Sequence, residues 1–379
     1  MMKKKKLKSV KEILQALDQR APQECAEDWD NVGLLAGDPN WETQGAVVCV
    51  DLTEEAIRLA VQKGYRLIVN HHPCIFPRSR GLSRILPQHL VFSALQQGIA
   101  VAAYHTNFDQ CALEVVDLIA HGLGLQVKGR LMDRSVGAVK KLVVYVPSSY
   151  LQVVRDAVLA AGAGHIGNYD SCSFHSEGEG SFRGGEGSDP FIGRPGALER
   201  VKESRLEVVF PKGLQTQVLH ALSRAHPYEE IAFDLYPVEQ KIAHSGVVRG
   251  LGYGFWGEFK NPKLFSDVVK GVRNLFGIQG FLMTHPAPKK VSRIGFVAGK
   301  GSSFLDAAAA VQCDLFITGE AGYHSSLMGA RKGVSVMELG HRESERFFLQ
   351  VMKKWLSQEG LKVVEVHTPT QQIWSGGTK

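Results

Sequence analysis

Residues 67–73, Leu-Ile-Val-Asn-His-His-Pro, join a short apolar run directly to two adjacent histidines. Runs of similar length lie at 46–50 (AVVCV) and 99–103 (IAVAA), and amphipathic stretches with a helical period separate them. Short apolar runs that alternate with such helices are typical of buried parallel strands. The segment from residue 9 to about residue 128 therefore predicts an α/β unit.

The same alternation returns between about residues 250 and 368, with strand-like runs at 293–298, 314–317 and 334–337. The stretch between the two α/β segments is different, because it is rich in glycine and serine from 162 to 196. Within it, residues 171–187 predict a hairpin. We therefore predict an α/β fold with a two-lobed, discontinuous core, formed by residues 1–129 and 247–379, and an α+β domain inserted at 130–246.

The composition is that of a folded protein, with 44% hydrophobic and 22% charged residues, and 379 residues favour two or three domains. Lysines at 3–6 and at 8 supply five of the six net positive charges. The rest of the chain is nearly neutral, so a nucleic-acid partner is not expected. A Ser-x-x-Glu capping box at Ser9 and Glu12 predicts a helix start and not a signal peptide.

No stretch approaches the roughly 18 to 20 apolar residues that a membrane span needs, so no membrane partner is expected. The six cysteines include no Cys-x-x-Cys pair, which argues against a disulfide framework or a thiolate zinc site. These features favour a cytoplasmic location.

Histidines and carboxylates follow three of the predicted strands, at the point where each strand ends. They are His71 and His72, His105 and Asp109, and His341 and Glu345. Because the carboxyl ends of parallel strands meet at one edge of a sheet, we expect these side chains to converge. Both His71 and His72 can face one site only if the chain bends near Pro73. His341 and Glu345 lie four residues apart at a helix start, which places them on one face.

Some of these residues also have simpler explanations. His105 could be a buried histidine bonded to the backbone, Asp109 a helix N-cap, and Glu345 a carboxylate interacting with a helix dipole. Three or four imidazoles and two carboxylates nevertheless exceed the needs of one tetrahedral ion with an open position. They suit two divalent ions per chain that share a carboxylate, with zinc preferred and manganese, iron or nickel also compatible.

Several blocks of the sequence are similar to the signature blocks of the GTP cyclohydrolase 1 type 2 homologue family, also called the Nif-three-like proteins. The blocks occur in the same order, at residues 26–35 (AEDWDNVGLL), 50–53 (VDLT), 70–73 (NHHP), 105–109 (HTNFD), 187–193 (GSDPFIG), 318–324 (TGEAGYH) and 340–345 (GHRESE). The chain therefore resembles this family nearly from end to end.

The resemblance implies an α/β core with an inserted domain similar to the ferredoxin-type PII/CutA group, which ends near residues 226–230 (HPYEE). It further implies a toroidal homohexamer and a dinuclear metal site. The ligands that it implies are His71, His72, Asp109, His341 and Glu345. The expected substrate is a nucleotide, and the expected reaction is hydrolysis, for example opening of the imidazole ring of GTP with release of formate.

Two functions remain open at this stage. In the first, the chain is a metal-dependent hydrolase, and His105 is the candidate catalytic residue for proton transfer. In the second, it is a regulatory or adaptor protein whose inserted domain senses a small metabolite and whose metals are structural. Activity that disappears in folded ligand variants would favour the first.

Overall fold

The computed structural model of the protein describes residues 7–75, 88–133, 139–166, 169–238, 251–284 and 287–367. Contacts divide the chain into two compact units, one formed by Met1–Asp133 with Gly252–Lys379 and the other by Arg134–Leu251. Both limits of the second unit lie a few residues closer to the C-terminus than the predicted limits of the insertion, 130 and 246. The lysines at 3–6 lie outside the described residues. Among the described helices, none has the length and apolar character to cross a membrane.

The N-terminal part of the first unit alternates strands and helices. Its elements are β1 (Lys8–Ser9), α1 (Val10–Asp18), β2 (Gly33–Ala36), β3 (Glu42–Thr43), β4 (Gly45–Cys49), α2 (Glu54–Lys63), β5 (Leu67–Asn70), α3 (Gln88–Gln96), β6 (Ala100–Ala103), α4 (Thr106–Cys111), α5 (Leu113–Leu123), β7 (Gln126–Gly129) and β8 (Met132–Asp133). The predicted capping box of Ser9 and Glu12 begins α1. Strands β4, β5 and β6 are parallel neighbours and buried throughout, which confirms the prediction.

The second unit is a four-stranded antiparallel sheet with two helices. Its elements are β9 (Val139–Pro147), α6 (Leu151–Ala160), β10 (Ser173–Arg183), β11 (Leu198–Pro211), α7 (Gln215–Ala225) and β12 (Phe233–Val238). The strand order is β10-β11-β9-β12, which is the split βαββαβ arrangement of ferredoxin-like folds. Both helices pack on one face of the sheet, where Leu142, Val144, Leu206 and Val208 belong to a single apolar cluster.

The prediction of a hairpin within residues 171–187 is wrong. Strand β10 runs without interruption through this stretch and pairs residue for residue with β11. The cause is the length of β11, whose 14 residues offer β10 a continuous ladder of backbone hydrogen bonds. At Gly180, the carboxylate of Glu203 lies where a Cβ atom would stand, so a larger residue here would displace that carboxylate.

The C-terminal part of the first unit repeats the α/β alternation. Its elements are β13 (Gly252–Tyr253), β14 (Phe255–Leu264), α8 (Phe265–Phe276), β15 (Leu282–Met283), β16 (Lys290–Lys300), α9 (Leu305–Ala310), β17 (Leu315–Glu320), α10 (Tyr323–Arg331), β18 (Ser335–Glu338), α11 (His341–Glu345), α12 (Phe347–Gln358) and β19 (Lys362–Val366). Strands β16, β17 and β18 are parallel neighbours, again as predicted.

Each of the two sheets in the first unit contains one strand from the other segment of the chain. The five-stranded sheet has the order β19-β4-β5-β6-β2, and the six-stranded sheet has the order β15-β18-β17-β16-β14-β7. Strand β19 therefore completes the N-terminal sheet, while β7 completes the C-terminal one. Phe348, Met352 and Trp355 of α12 are buried in the same apolar cluster as residues of β4, β5 and β6. These connections hold the two segments in one unit.

Candidate metal centre

Polar residues of the candidate site follow the carboxyl ends of parallel strands in both sheets. In the N-terminal sheet, Asp51 follows β4, His71 and His72 follow β5, and His105 and Asp109 follow β6. In the C-terminal sheet, Glu320 ends β17, and His341 and Glu345 follow β18 on α11. The three strands of the first set are neighbours in their sheet, and so are the two strands of the second, so the carboxyl ends in each sheet bring these residues to one edge.

The chain bends directly after β5. The backbone N–H groups of His71 and His72 both donate to the carbonyl oxygen of Val50, each over 3.0 Å. Two successive residues of an extended strand could not do so, because their N–H groups point to opposite sides. The chain thus bends as expected, and the two imidazole centroids lie 5.2 Å from each other.

Asp109 lies inside α4 and not at a helix cap. The residue at the N-cap of α4 is His105, and the residue at the N-cap of α5 is Ala112. The N-cap explanation for Asp109 is therefore wrong. Its Oδ1 atom lies 3.6 Å from Nε2 of His71, which is fully buried.

Glu345 is the residue on which the cluster converges. Its Oε1 atom lies 3.0 Å from Nε2 of His341 and 3.8 Å from Nε2 of His71, and its Oε2 atom lies 3.1 Å from Nε2 of His72. The side chain is 5% exposed. These three imidazoles account for the buried carboxylate without any interaction with a helix dipole.

A glycine lets the backbone of β16 approach this carboxylate. Gly299 has a φ of +64°, and a Cβ atom at this position would stand 2.7 Å from Oε1 of Glu345. Its N–H donates to Oγ of Ser344 over 2.9 Å, which ties β16 to α11. A side chain at position 299 would have to displace Glu345.

The Nδ1 atoms of His71 and His72 are held by acceptors outside the cluster. Nδ1 of His71 lies 2.8 Å from the carbonyl oxygen of Tyr104, and Nδ1 of His72 lies 2.8 Å from Oδ1 of Asp51. A carbonyl oxygen can only accept, so His71 carries its proton on Nδ1 and presents a lone pair at Nε2. Acceptors of this kind fix the tautomer of metal-binding histidines in proteins.

His105 and His341 follow the same pattern. Nδ1 of His105 lies 2.9 Å from Oδ1 of Asp30, and Nδ1 of His341 lies 3.4 Å from Oε1 of Glu320. The Asp30 carboxylate is fully buried and also accepts from the N–H and the hydroxyl of Thr106. The explanation of His105 as a backbone-bonded histidine is therefore wrong, because its ring is held by a carboxylate.

Two overlapping groups in the described part of the chain could hold a metal ion. One contains His71, His72 and His105, and the other contains His72, His341 and Glu345; in each, the ligand atoms lie within 4.8 Å of one another. Nε2 of His71 is buried and has no hydrogen-bond partner among the residues that the structure describes. Burial of such atoms is costly unless something satisfies them, so this donor set fits a cation.

The electrostatics of the cluster also suit a cation. Burial lowers the pKa of His71 to about 3 and raises the pKa of Asp109 to about 7. Burial opposes the charge on His72, but contacts with the carboxylates of Asp51 and Glu345 outweigh it and raise its pKa to about 10. A cation that binds Nε2 of His72 must displace a proton, so metal affinity should fall as the pH falls.

Five of the six residues that the sequence singled out belong to the two groups that could hold an ion. Asp109 belongs to neither group, although its Oδ1 atom lies 3.6 Å from Nε2 of His71. The structure adds three residues that the spacing of the sequence did not single out. The additions are Asp30, Asp51 and Glu320, each beside an imidazole Nδ1. Asp51 had a signal, because it follows the apolar run at 46–50 just as the histidines follow theirs. Asp30 had no signal from strand spacing, since it lies in a loop and meets His105 only through the fold; it belongs to the family-like block at residues 26–35.

Comparison with known proteins places these features in a family. The sequence model of Duf34/NIF3 (NGG1p interacting factor 3) matches residues 8–372. A Bacillus subtilis (strain 168) protein called GTP cyclohydrolase 1 type 2 homolog is 37% identical over 331 residues, or 87% of each chain. A homolog of the same name from Mycobacterium tuberculosis (strain ATCC 25618 / H37Rv) is 33% identical over 340 residues, or 88% of this chain and 87% of that one.

A crystal structure of a Bacillus cereus protein related to NIF3 has a similar fold, with a TM-score of 0.71 and 30% sequence identity. The similarity covers 99% of this chain and 100% of that one. The resemblance found in the sequence is thereby confirmed, and the chain belongs to the Duf34/NIF3 family.

Proposed function

We propose that the protein is a hydrolase that uses two divalent ions, held by His71, His72, Asp109, His341 and Glu345. The observation that carries this proposal is the position of Glu345, whose two carboxylate oxygens reach the Nε2 atoms of three different histidines. A carboxylate placed in this way can serve two ions at once. One ion would leave part of this donor set unsatisfied, because a tetrahedral site with an open position takes only three protein ligands.

The ions and His105 would divide the chemistry between them. When bound, divalent ions would lower the pKa of water towards neutrality and would polarise a carbon–heteroatom bond, which makes its carbon more electrophilic. His105 offers the lone pair of Nε2 for proton transfer, because Asp30 holds its Nδ1 atom. The ring of His105 lies 5.2 Å from that of His71 and 5.6 Å from that of His72, between centroids. This proximity also makes His105 an alternative ligand.

We propose a purine nucleotide as the substrate, with hydrolytic opening of its imidazole ring as the reaction. The carbon between the two ring nitrogens would leave as formate, and the step requires water but no oxidant. Support comes from the names of the relatives, which describe them as homologs of GTP cyclohydrolase 1 type 2. Zinc is the preferred ion, since imidazole and carboxylate ligands suit it, with manganese, iron and nickel also compatible.

A regulatory or adaptor role is the second candidate. It is favoured by the split βαββαβ topology of the second unit, which agrees with the PII/CutA-like insertion that the family resemblance implies. In this case the unit would sense a small metabolite. The same resemblance leads us to propose a homohexamer, which light scattering of the purified protein would test. The scattered cysteines lead us to propose a cytoplasmic location, which cell fractionation would test.

Formate release from GTP tests the hydrolase proposal. We expect Glu345→Ala to lose metal and activity together, and His105→Ala to keep most of its metal while turnover falls by about 10²-fold or more. His226→Ala, in the second unit, is the control and should leave the chemical step unchanged. Equal formate release from the parent and a verified metal-free Glu345→Ala protein would exclude metal-dependent ring opening. No release from the parent with any of the four metals would favour the regulatory role.

A further inference from the structure

The loop between α1 and β2 carries a tryptophan whose exposure is unusual for this chain. The Trp29 side chain is 59% exposed, whereas Trp355 is 1% exposed. Trp41 packs against the core of the N-terminal sheet, and the ring of Trp256 lies under the guanidinium of Arg293. Trp29 is thus the one tryptophan among the described residues that leaves most of its ring in solvent.

The loop that carries Trp29 is nevertheless firmly anchored on both sides of this residue. On one side, the N–H of Glu27 donates to Oγ1 of Thr106, and its Oε1 accepts from the hydroxyl of Tyr253, both over 3.0 Å. On the other side, Asp30 is buried against His105, and Nδ2 of Asn31 donates to a backbone carbonyl over 2.6 Å. Trp29 is therefore held in place while its ring remains open to solvent.

The position of the ring relates it to the metal centre. The indole of Trp29 meets the imidazole of His105 edge to face, with 6.1 Å between centroids. His105 in turn belongs to one of the groups that could hold an ion. A ligand bound at the cluster and extending past His105 would meet the Trp29 ring next. The cluster is lined by imidazoles and carboxylates, so such a ligand must combine a polar edge with a flat apolar face.

We propose that Trp29 is the stacking surface for a planar heteroaromatic ring of the substrate. Such a ring has both required properties, since its edge carries hydrogen-bonding groups and its face stacks on indole. The inference rests on the proposed hydrolase function and deepens it, because it assigns a residue to recognition of the base. Trp29 also sets specificity in this view, since a triphosphate without a base has nothing to stack.

Binding of two probes to the metal-loaded, full-length protein tests the proposal without turnover. One probe is the 7-deaza analogue of GTP, whose five-membered ring lacks the second nitrogen and cannot release formate by hydrolysis. The other is inorganic triphosphate, which has no ring. Isothermal titration would give the Kd of each probe for the parent, Trp29→Leu, Trp29→Phe and a control, Tyr169→Leu, which removes an exposed ring from the second unit.

We expect Trp29→Leu to weaken binding of the 7-deaza nucleotide by about tenfold and to leave the Kd of triphosphate unchanged. Trp29→Phe should recover most of the affinity, and Tyr169→Leu should bind like the parent. The proposal is overturned if Trp29→Leu binds the nucleotide like the parent, or if both probes weaken equally. It is also overturned if the parent binds the nucleotide no more tightly than triphosphate.

Two further results separate this inference from the proposed reaction. If the nucleotide binds through Trp29 but the parent releases no formate from GTP, the reaction is wrong and the stacking role stands. If Trp29→Leu releases formate with an unchanged KM, the reaction stands and the stacking role is wrong. A Trp29→Leu protein that changes only its oligomeric mass would assign the exposed ring to contact with a second copy and overturn the proposal.

Discussion

The buried carboxylate of Asp30 determines how the His105 ring is presented to the cluster. Burial opposes its charge, but hydrogen bonds from His105 and Thr106 outweigh this effect and lower its pKa to about 2. Asp30 is therefore ionised at neutral pH, and its contact with Nδ1 directs Nε2 of His105 towards the other imidazoles. Asp30 is a positioning residue, since it acts through His105.

We predict that Asp30→Asn lowers turnover by about 10- to 100-fold, because the ring of His105 loses the ionised carboxylate that holds its Nδ1 atom. The effect should be absent when His105 is already alanine, so the double variant should be no slower than His105→Ala alone. Formate release from the two single variants and the double variant measures this coupling. Asp28→Asn, the same change at an exposed neighbour, is the control. Additive losses in the double variant would mean that Asp30 acts elsewhere.

Single residues of the site were predictable where a local pattern marks them. His71, His72 and His341 directly follow apolar runs, and strand ends collect functional residues for topological reasons. Asp30 lies in the family-like block at residues 26–35, but its role could not be predicted, because its partner His105 lies 75 residues away in the chain. Lone carboxylates acquire a role only through tertiary contacts.

At the scale of elements, the approach of β16 to α11 depends on Gly299. We predict that Gly299→Ala loses metal, because its Cβ would displace the buried Glu345 carboxylate. Gly64→Ala is a matched control, since Gly64 has nearly the same φ, +66°, with open space around it. Both variants should lose about 1 to 2 kcal/mol of unfolding free energy from the left-handed backbone, but only Gly299→Ala should lose metal. Urea unfolding and metal analysis would decide, and full metal content in Gly299→Ala would contradict the prediction.

Elements were predictable to different degrees. The buried parallel strands can be predicted from their apolar runs. Strands β7 and β8 have no such run, because they are short and mostly exposed. The longer strand β14 offers hydrogen bonds to β7, whereas β8 pairs with the equally short β13. Both partners lie far along the chain, so the local sequence does not reveal these pairs. The hairpin prediction failed for the same reason, because β11 extends the ladder that the glycine-rich sequence alone does not suggest.

At the scale of the whole molecule, all proposed ligands lie in the first unit, so the second should be dispensable for metal binding. Asp133 of β8 is paired directly with Gly252 of β13 in an antiparallel register. Such partners lie only about 5 Å apart between Cα atoms, so an Asn-Gly turn could replace residues 134–251. We predict that the excised protein keeps its metal and that Glu345→Ala abolishes binding in it as well. A folded, metal-free excision protein would show that the second unit is needed for the site.

The metal stoichiometry of the intact chain tests the central claim most directly. Native mass spectrometry after reconstitution with zinc, calibrated by elemental analysis, counts the ions bound to each chain. We predict two ions per parent chain and the loss of both in Glu345→Ala. The reason is that this carboxylate reaches the imidazoles of His71, His72 and His341, which belong to both groups that could hold an ion. A reproducible value of one or zero for the parent, or two ions retained by Glu345→Ala, would contradict the account.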